Sequence, residues 1–255
     1  AGMGKRMRPH TLTVPKPLIP VAGKPIVQHL VEDIAAMCEE QIKEVAFVIG
    51  RFGEATETQL LKIAEDIGAK GHIFYQDEAL GTAHAVNCAK ECLKGNVIVA
   101  FADTIFKADF KLDASKDGVI WVNKVENPQQ FGVVKIDSNN HITEFIEKPL
   151  EFISDLAIIG IYYFKDGENL NKEIEYLIDN DIKDKGEYQL TNALENMKNK
   201  GLRFEAGKVI EWLDCGNKNA TVHTNQRVLA IKAGASSVDK TAVIENSVIV
   251  PPVFI

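Results

Sequence analysis

The residues best suited to chemistry crowd the start of the chain. It opens Ala1-Gly2-Met3-Gly4-Lys5-Arg6-Met7-Arg8-Pro9-His10-Thr11 and continues Pro15-Lys16-Pro17-Leu18-Ile19-Pro20-Val21. Glycine lets backbone N–H groups approach phosphate oxygens closely. Arginine adds charge and a fork of donors. The pattern is not a Walker A loop, since no GK[ST] stands at the required spacing. Nor is it GxGxxG, because Met7 occupies the place of the third glycine. Far along the chain, Asp103 and Asp214 each close an apolar run. Two carboxylates from distant segments commonly hold Mg²⁺ beside a phosphate. Taken singly, either aspartate reads better as a cap or turn residue.

Charge points the same way. Formal net charge is −7, yet the first 31 residues carry Lys5, Arg6, Arg8, Lys16 and Lys24 with no acid, leaving −12 for the remainder. A local basic segment on an acidic protein suits a small anionic ligand or a solvated terminus. It argues against a nucleic-acid-binding module, which shows a broader basic face. No apolar run approaches the ~20 residues of a membrane span. Cys38, Cys88, Cys92 and Cys215 lack CxxC spacing and read as reduced thiols, as in a cytoplasmic protein. Cys88 and Cys92 are expected on one helix face.

The elements that must position these residues alternate. Residues 1–23 read as an irregular loop broken by glycine and proline. Pro25 opens a helix, Val45–Ile49 is a buried strand, and Glu54–Ile67 is a helix. Ile73–Tyr75 is a strand, Leu80–Leu93 a helix, and Asn96–Ala102 a further buried strand. This alternation predicts an α/β, Rossmann-like sheet, mixed and mostly parallel, flanked by helices. Asp103 then ends a sheet strand, the usual place for ligands in such folds. Beyond it come four strand-like runs, helices over Gly167–Asp179 and Tyr188–Asn199, short strands at Arg203–Ala206 and Ile210–Leu213, and a helix over Asn217–Lys232. Val238, Ile244 and Val250 recur every six residues, the period of a left-handed β-helix. The expected division is a main domain over 1–234 and the start of a β-helix over 235–255. A coincidental strand carries equal weight. A glycine loop normally follows a first, central strand, so a fragment lacking that strand is expected.

These motifs resemble the sugar nucleotidyltransferases. That family joins a glycine loop with Arg to Pro-Lys-Pro-Leu-x-Pro-Val and then Lys-Pro, here Lys24-Pro25. The resemblance continues in order through Gln76 and Leu80-Gly81-Thr82-Ala83, Phe101-Ala102-Asp103, Phe131-Gly132-Val133-Val134 and Phe145-Ile146-Glu147-Lys148-Pro149. It ends with Ile159-Gly160-Ile161-Tyr162, Gly186-Glu187-Tyr188 and Trp212-Leu213-Asp214-Cys215-Gly216.

The resemblance implies transfer of a nucleoside monophosphate from an NTP, dTTP or UTP favoured, to a sugar 1-phosphate, with pyrophosphate released. Arg6, Lys16 and Lys148 would be catalytic. Gly2, Gly4, Gln76 and Gly81 would bind nucleotide, and Gly132, Glu147 and Glu187 the sugar. Asp103 and Asp214 would hold Mg²⁺. Thr104 departs from the Asn or Asp that many members place after the aspartate, a change that could alter sugar or metal contacts. Competing expectations are a catalytically silent regulatory subunit and part of a hexapeptide-repeat acyltransferase. A homo-oligomer is left open.

Overall fold

Two strands carry side chains that are buried on both faces, and they organise the rest. In Gly118–Lys124, Ile120 and Val122 join one apolar cluster while Val119 and Trp121 join another. In Leu156–Phe164, Tyr162 and Phe164 face the first cluster and Ile161 and Tyr163 the second. Successive side chains point to opposite faces of a strand, so such segments demand cover on both sides.

The computed structural model describes residues 4–109, 111–231 and 238–255. Its strands are β1 (Pro20–Val21), β2 (Lys24–Pro25), β3 (Glu44–Ile49), β4 (Lys70–Tyr75), β5 (Val97–Ala100), β6 (Thr104–Lys107), β7 (Gly118–Lys124), β8 (Gly132–Ile136), β9 (Ile142–Glu147), β10 (Leu156–Phe164), β11 (Phe204–Lys208) and β12 (Glu211–Asp214). Its α-helices are α1 (Ile26–Met37), α2 (Glu54–Asp66), α3 (Thr82–Asn87), α4 (Gly167–Asp179), α5 (Leu190–Asn199) and α6 (Lys218–Ile231). Short 3₁₀ turns interrupt the opening loop.

The largest sheet runs β11-β7-β10-β8-β9, with β5 also on β10. It is mixed, as expected: β11 pairs parallel with β7, and its other pairings are antiparallel. β3 and β4 form a separate parallel pair. Helices α4 and α5 bury Leu170, Ile174, Leu190 and Leu194 against one face, and α1 buries Leu30 and Ile34 against the other.

One edge of β10 is shared. β8 meets it at Ala157 and β5 meets it from Ile161 onward. The two partners part at Gly160, where β10 bulges. Gly160 has φ +83, a region that a side chain rarely tolerates. Its carbonyl accepts from the Phe101 amide at 2.8 Å. The bulge therefore fixes where β5 ends and where the following Asp103 emerges.

Three expectations are corrected. The helix expected over 80–93 is α3 followed by a 3₁₀ turn at Lys90–Cys92, because Ala89 leaves helical geometry at φ −108, ψ 26. Cys88 and Cys92 thus fall on either side of a break, not on one helix face. The helix expected from Tyr188 starts at Leu190, since the Tyr188 amide and carbonyl are committed to Leu80 and Ala83. No β-helix forms over 238–255: the described residues there are turns and coil, with a single bridge residue at Phe254. Val238, Ile244 and Val250 are 39%, 42% and 75% exposed, so they stack into no core. So short a repeat has too few coils to cover one. Residues 235–237 lie outside the described residues, as do Ala1, Gly2 and Met3 of the opening motif.

Candidate functional site

The two aspartates meet because of one strand pair. β12 runs antiparallel to β6, setting Asp214 opposite Thr104. Asp103 immediately precedes β6, and its carbonyl accepts from the Cys215 amide at 2.8 Å. Helix α6 secures the other side, where the Thr224 hydroxyl donates to the Asp214 carbonyl at 2.7 Å.

The opening loop is bound to the same place. Lys16 Nζ donates to Asp103 Oδ2 at 2.7 Å, with the lysine side chain only 13% exposed. The Gly4 carbonyl accepts from the Thr11 hydroxyl and the Met7 amide, both at 2.8 Å. Met7 is buried, and the Thr221 hydroxyl of α6 lies 3.6 Å from its sulfur. Arg6 projects from this turn and is exposed.

The charges act on one another. Burial pushes the Asp214 carboxyl above the usual carboxylate range. The Gly216 amide, donating to Oδ1 at 2.7 Å, draws it back down. The Asp103 charge raises it further, while Lys16 and Arg6 lower it. Two carboxylates and two cations therefore share one neighbourhood.

Thr104 plays no part in it. It is buried, and its hydroxyl donates to the Ile159 carbonyl at 2.8 Å. The departure noted in the sequence thus serves the β6–β10 packing.

A second group gathers around Gly81. Gln76 Nε2 donates to the Gly81 carbonyl at 3.1 Å and lies 3.1 Å from His84 Nδ1. A carbonyl can only accept, so the amide nitrogen must face it. His84 Nδ1 then accepts as well, and the imidazole proton sits on Nε2. Gly81 itself has φ +118, and a Cβ there would come within 2.4 Å of the Tyr188 carbonyl oxygen. Only glycine lets the two backbones touch. The Tyr188 amide donates to Leu80 O at 2.8 Å, and Tyr188 O accepts from Ala83 N at 2.9 Å. Thr82 adds its hydroxyl, which accepts from the Leu190 amide and donates to Gln189 Oε1.

A third group lies on β8 and β9. Gly132 faces Glu147 across the strand pair, and a Cβ at Gly132 would lie 3.0 Å from Glu147 Oε2. The missing side chain is what leaves room for that carboxylate. The Thr191 hydroxyl approaches the same oxygen at 3.4 Å. Lys148 is half-exposed, with its Nζ 3.3 Å from Glu147 Oε1.

Tyr162 connects the groups. It is buried on β10, and its hydroxyl is pushed far up by burial, then by the Glu147 and Asp103 charges. One phenol thus feels the charges of both Glu147 and Asp103.

The sequence-chosen residues therefore fall into three sets: Arg6, Lys16, Asp103 and Asp214; Gln76 and Gly81; Gly132, Glu147 and Lys148. Gly4 braces the first set, and Gly2 is outside the described residues. The Glu187 carboxylate accepts from Gln189 Nε2 at 3.1 Å, which ties it to the Thr82 side. Sequence reasoning gave no role to His84, Tyr162, Thr191 or Lys185. Tyr162 lies inside a quoted motif and His84 directly follows one, but their contacts arise only from the fold.

Comparison with known proteins places the chain in a family. Residues 1–230 match the model of the nucleotidyl transferase family. The low-salt glycan biosynthesis nucleotidyltransferase Agl11 of Haloferax volcanii is 34% identical over 91% of this chain and 65% of its own length. The bifunctional protein GlmU of Methanococcus maripaludis is 29% identical over 98% of this chain and 58% of its own. The chain thus spans about three-fifths of the length of these curated relatives. Among solved structures, a Bacillus anthracis protein assigned as a glucose-1-phosphate thymidylyltransferase superposes with a TM-score of 0.74 at 24% identity, covering 89% of this chain and 91% of that one. A UDP-glucose pyrophosphorylase complexed with UDP-glucose gives 0.74 at 20% identity, covering 91% and 96%. These two likenesses speak to the fold.

Proposed function

We propose, from the premise that this chain belongs to the nucleotidyl transferase family, that it transfers a nucleoside monophosphate from an NTP to a sugar 1-phosphate and releases pyrophosphate. The observation that carries this reading is the convergence of Lys16, Asp103 and Asp214 beside the loop that bears Arg6.

The reaction is attack by a sugar-phosphate oxygen on the α-phosphorus of the nucleotide. The nucleophile is already ionised, so positioning and charge neutralisation matter more than a general base. Arg6 and the amides of the glycine loop meet the triphosphate and the departing pyrophosphate. Lys16 brings its charge to the α-phosphate. Glu147 and Gly132 receive the sugar hydroxyls, and Lys148 receives the sugar phosphate.

The acidic pair fits a divalent cation. Asp214 is partly buried and is pushed further up by Asp103, a concentration of negative charge that a dication relieves. Among the described residues no further acidic, histidine or cysteine side chain joins them to form a larger ligand group. Mg²⁺ tolerates this, since it keeps waters and takes substrate phosphate oxygens with one or two carboxylates. Held by Asp103 and Asp214, it would neutralise charge on the α-phosphate.

Gln76 supports a base with an N–H at the edge it meets. Its amide nitrogen is committed to Gly81 and His84, which leaves Oε1 to accept from a ligand. At the central ring nitrogen of that edge uracil and thymine offer N3–H, as guanine offers N1–H, whereas cytosine N3 and adenine N1 offer lone pairs. GTP meets this requirement as well as UTP or dTTP; the resemblance is what favours UTP or dTTP. The catalytic unit takes residues 1–234. Among the described residues no helix is long and apolar enough to cross a membrane. The test is a pyrophosphate-release screen of ATP, CTP, GTP, UTP and dTTP against a panel of sugar 1-phosphates. Release only with ATP or CTP would overturn the Gln76 reading, release only with GTP would overturn the preference for UTP or dTTP, and none with any pair would overturn the function.

A further inference from the structure

Lys185 belongs to none of the motifs above, yet its ammonium grips the backbone that presents two of their residues. Nζ donates to the Glu147 carbonyl at 3.0 Å and to the Lys148 carbonyl at 2.7 Å. Glu147 is the last residue of β9, and Lys148 has φ +41, a left-handed conformation that a residue with a side chain adopts at a cost. The Lys148 amide stays paired with Phe131 O at 3.1 Å. The chain thus turns out of the sheet at Lys148 while two successive carbonyls converge on one cation. A charged donor bonds more strongly than a neutral one.

The far end of the pin is itself anchored. Asp184 and Glu187 exchange both backbone hydrogen bonds, at 2.9 and 3.0 Å, closing a turn with Lys185 and Gly186 at its tip. The turn runs directly into Tyr188, whose amide and carbonyl are held by Leu80 and Ala83. Lys185 is therefore a strut from the Gly81 segment to the Glu147–Lys148 corner.

We propose that Lys185 is a positioning residue for the sugar-phosphate half of the site. It fixes the left-handed corner, and so the places of the Glu147 carboxylate and the Lys148 ammonium, without touching substrate. This rests on the function proposed above.

The test uses the whole chain and the substrate pair that the screen selects. Lys185→Met keeps the stem and removes the donor, Lys185→Arg restores a donor, and Lys62→Met removes an equal charge from α2, where Lys62 pairs with Glu65 and Asp66. For Lys185→Met the KM for sugar 1-phosphate should rise about 10-fold, with the KM for NTP within about twofold, since only one half of the site loosens. Lys185→Arg should recover most of the loss, and Lys62→Met should match wild type. Melting temperatures should stay together. An unchanged sugar-phosphate KM, or equal rises in both KM values with a lowered melting temperature, overturns the proposal. Hydrogen exchange at the Lys148 amide reads the strut without turnover. Lys185→Met should speed it, and an unchanged rate overturns the strut even in an inactive protein. No pyrophosphate release by wild type with any pair sinks the proposed function, and with it the catalytic meaning of Lys185.

Discussion

Lys16 and Asp103 are 87 residues apart in sequence and form an ion pair of 2.7 Å beside Asp214. Under the proposed function the lysine neutralises charge as the α-phosphate reacts. Lys16→Met should lower kcat by about 10²-fold, the usual effect of deleting one group aimed at transition-state charge. Steady-state pyrophosphate release measures this, and a loss confined to KM would reassign Lys16 to ground-state binding.

Arg6 is exposed on the same loop, and its charge is felt at Asp214. Negative charge grows on pyrophosphate as the bond breaks. Arg6→Ala should therefore reduce turnover, again by about 10²-fold, more than it raises the KM for NTP. An unchanged kcat with a raised KM is the contrary result.

Much of this was legible in the sequence. The alternation up to Ala102 and the order of the motifs placed Asp103 near a strand end and Lys16 in the irregular opening loop. The Lys16–Asp103 pair was not legible, because its members are 87 residues apart and meet only when the opening loop packs against the end of the sheet. β6 (Thr104–Lys107) itself escaped notice. Tyr188 was read into a helix because periodicity cannot see that Leu80 and Ala83 claim its backbone. The six-residue repeat misled for the opposite reason: spacing was present, but Val250 had nothing to pack against.

The backbones of Gly81 and Tyr188 pack against each other with no room for a side chain at Gly81. Gly81→Ala would set a Cβ within 2.4 Å of the Tyr188 oxygen at φ +118. Overpacking and backbone strain together should cost about 3 kcal/mol. At ~2–4 °C per kcal/mol for a chain of this size, Tm should fall by about 6–12 °C. A melting curve within about 2 °C of wild type would show that the segment yields freely.

Asp214 is held partly buried, with its carboxyl pushed above the usual range. A raised carboxyl pKa means that folding favours the protonated form, so this contribution to stability is lost as pH rises from the ordinary value of 3.8 through the folded one. Asp214→Asn removes that charge and should raise Tm at neutral pH without metal. It should also abolish stabilisation by MgCl₂, which in wild type reaches about 2.7 kcal/mol at 100 times Kd. Equal metal-induced shifts in both proteins would remove Asp214 from the metal site.

Cys215 is fully buried behind the acidic pair, and burial pushes its thiol up to about 12. The thiolate is the reactive form, so at pH 8 only about 10⁻⁴ of it is available. Iodoacetamide at that pH should spare Cys215 in the folded protein and modify it after denaturation, read by peptide mass. Prompt modification in the native state would mean that the β12–α6 corner opens.

The most direct test follows the phosphorus. UTP or dTTP labelled at the α-phosphate is incubated with MgCl₂ and a sugar 1-phosphate, and both products are measured. The α-label should pass to the sugar nucleotide, one pyrophosphate should form per transfer, and both should require the sugar phosphate and Lys16. Release of pyrophosphate without the sugar phosphate, or no label transfer with any NTP and sugar 1-phosphate, would contradict the assignment.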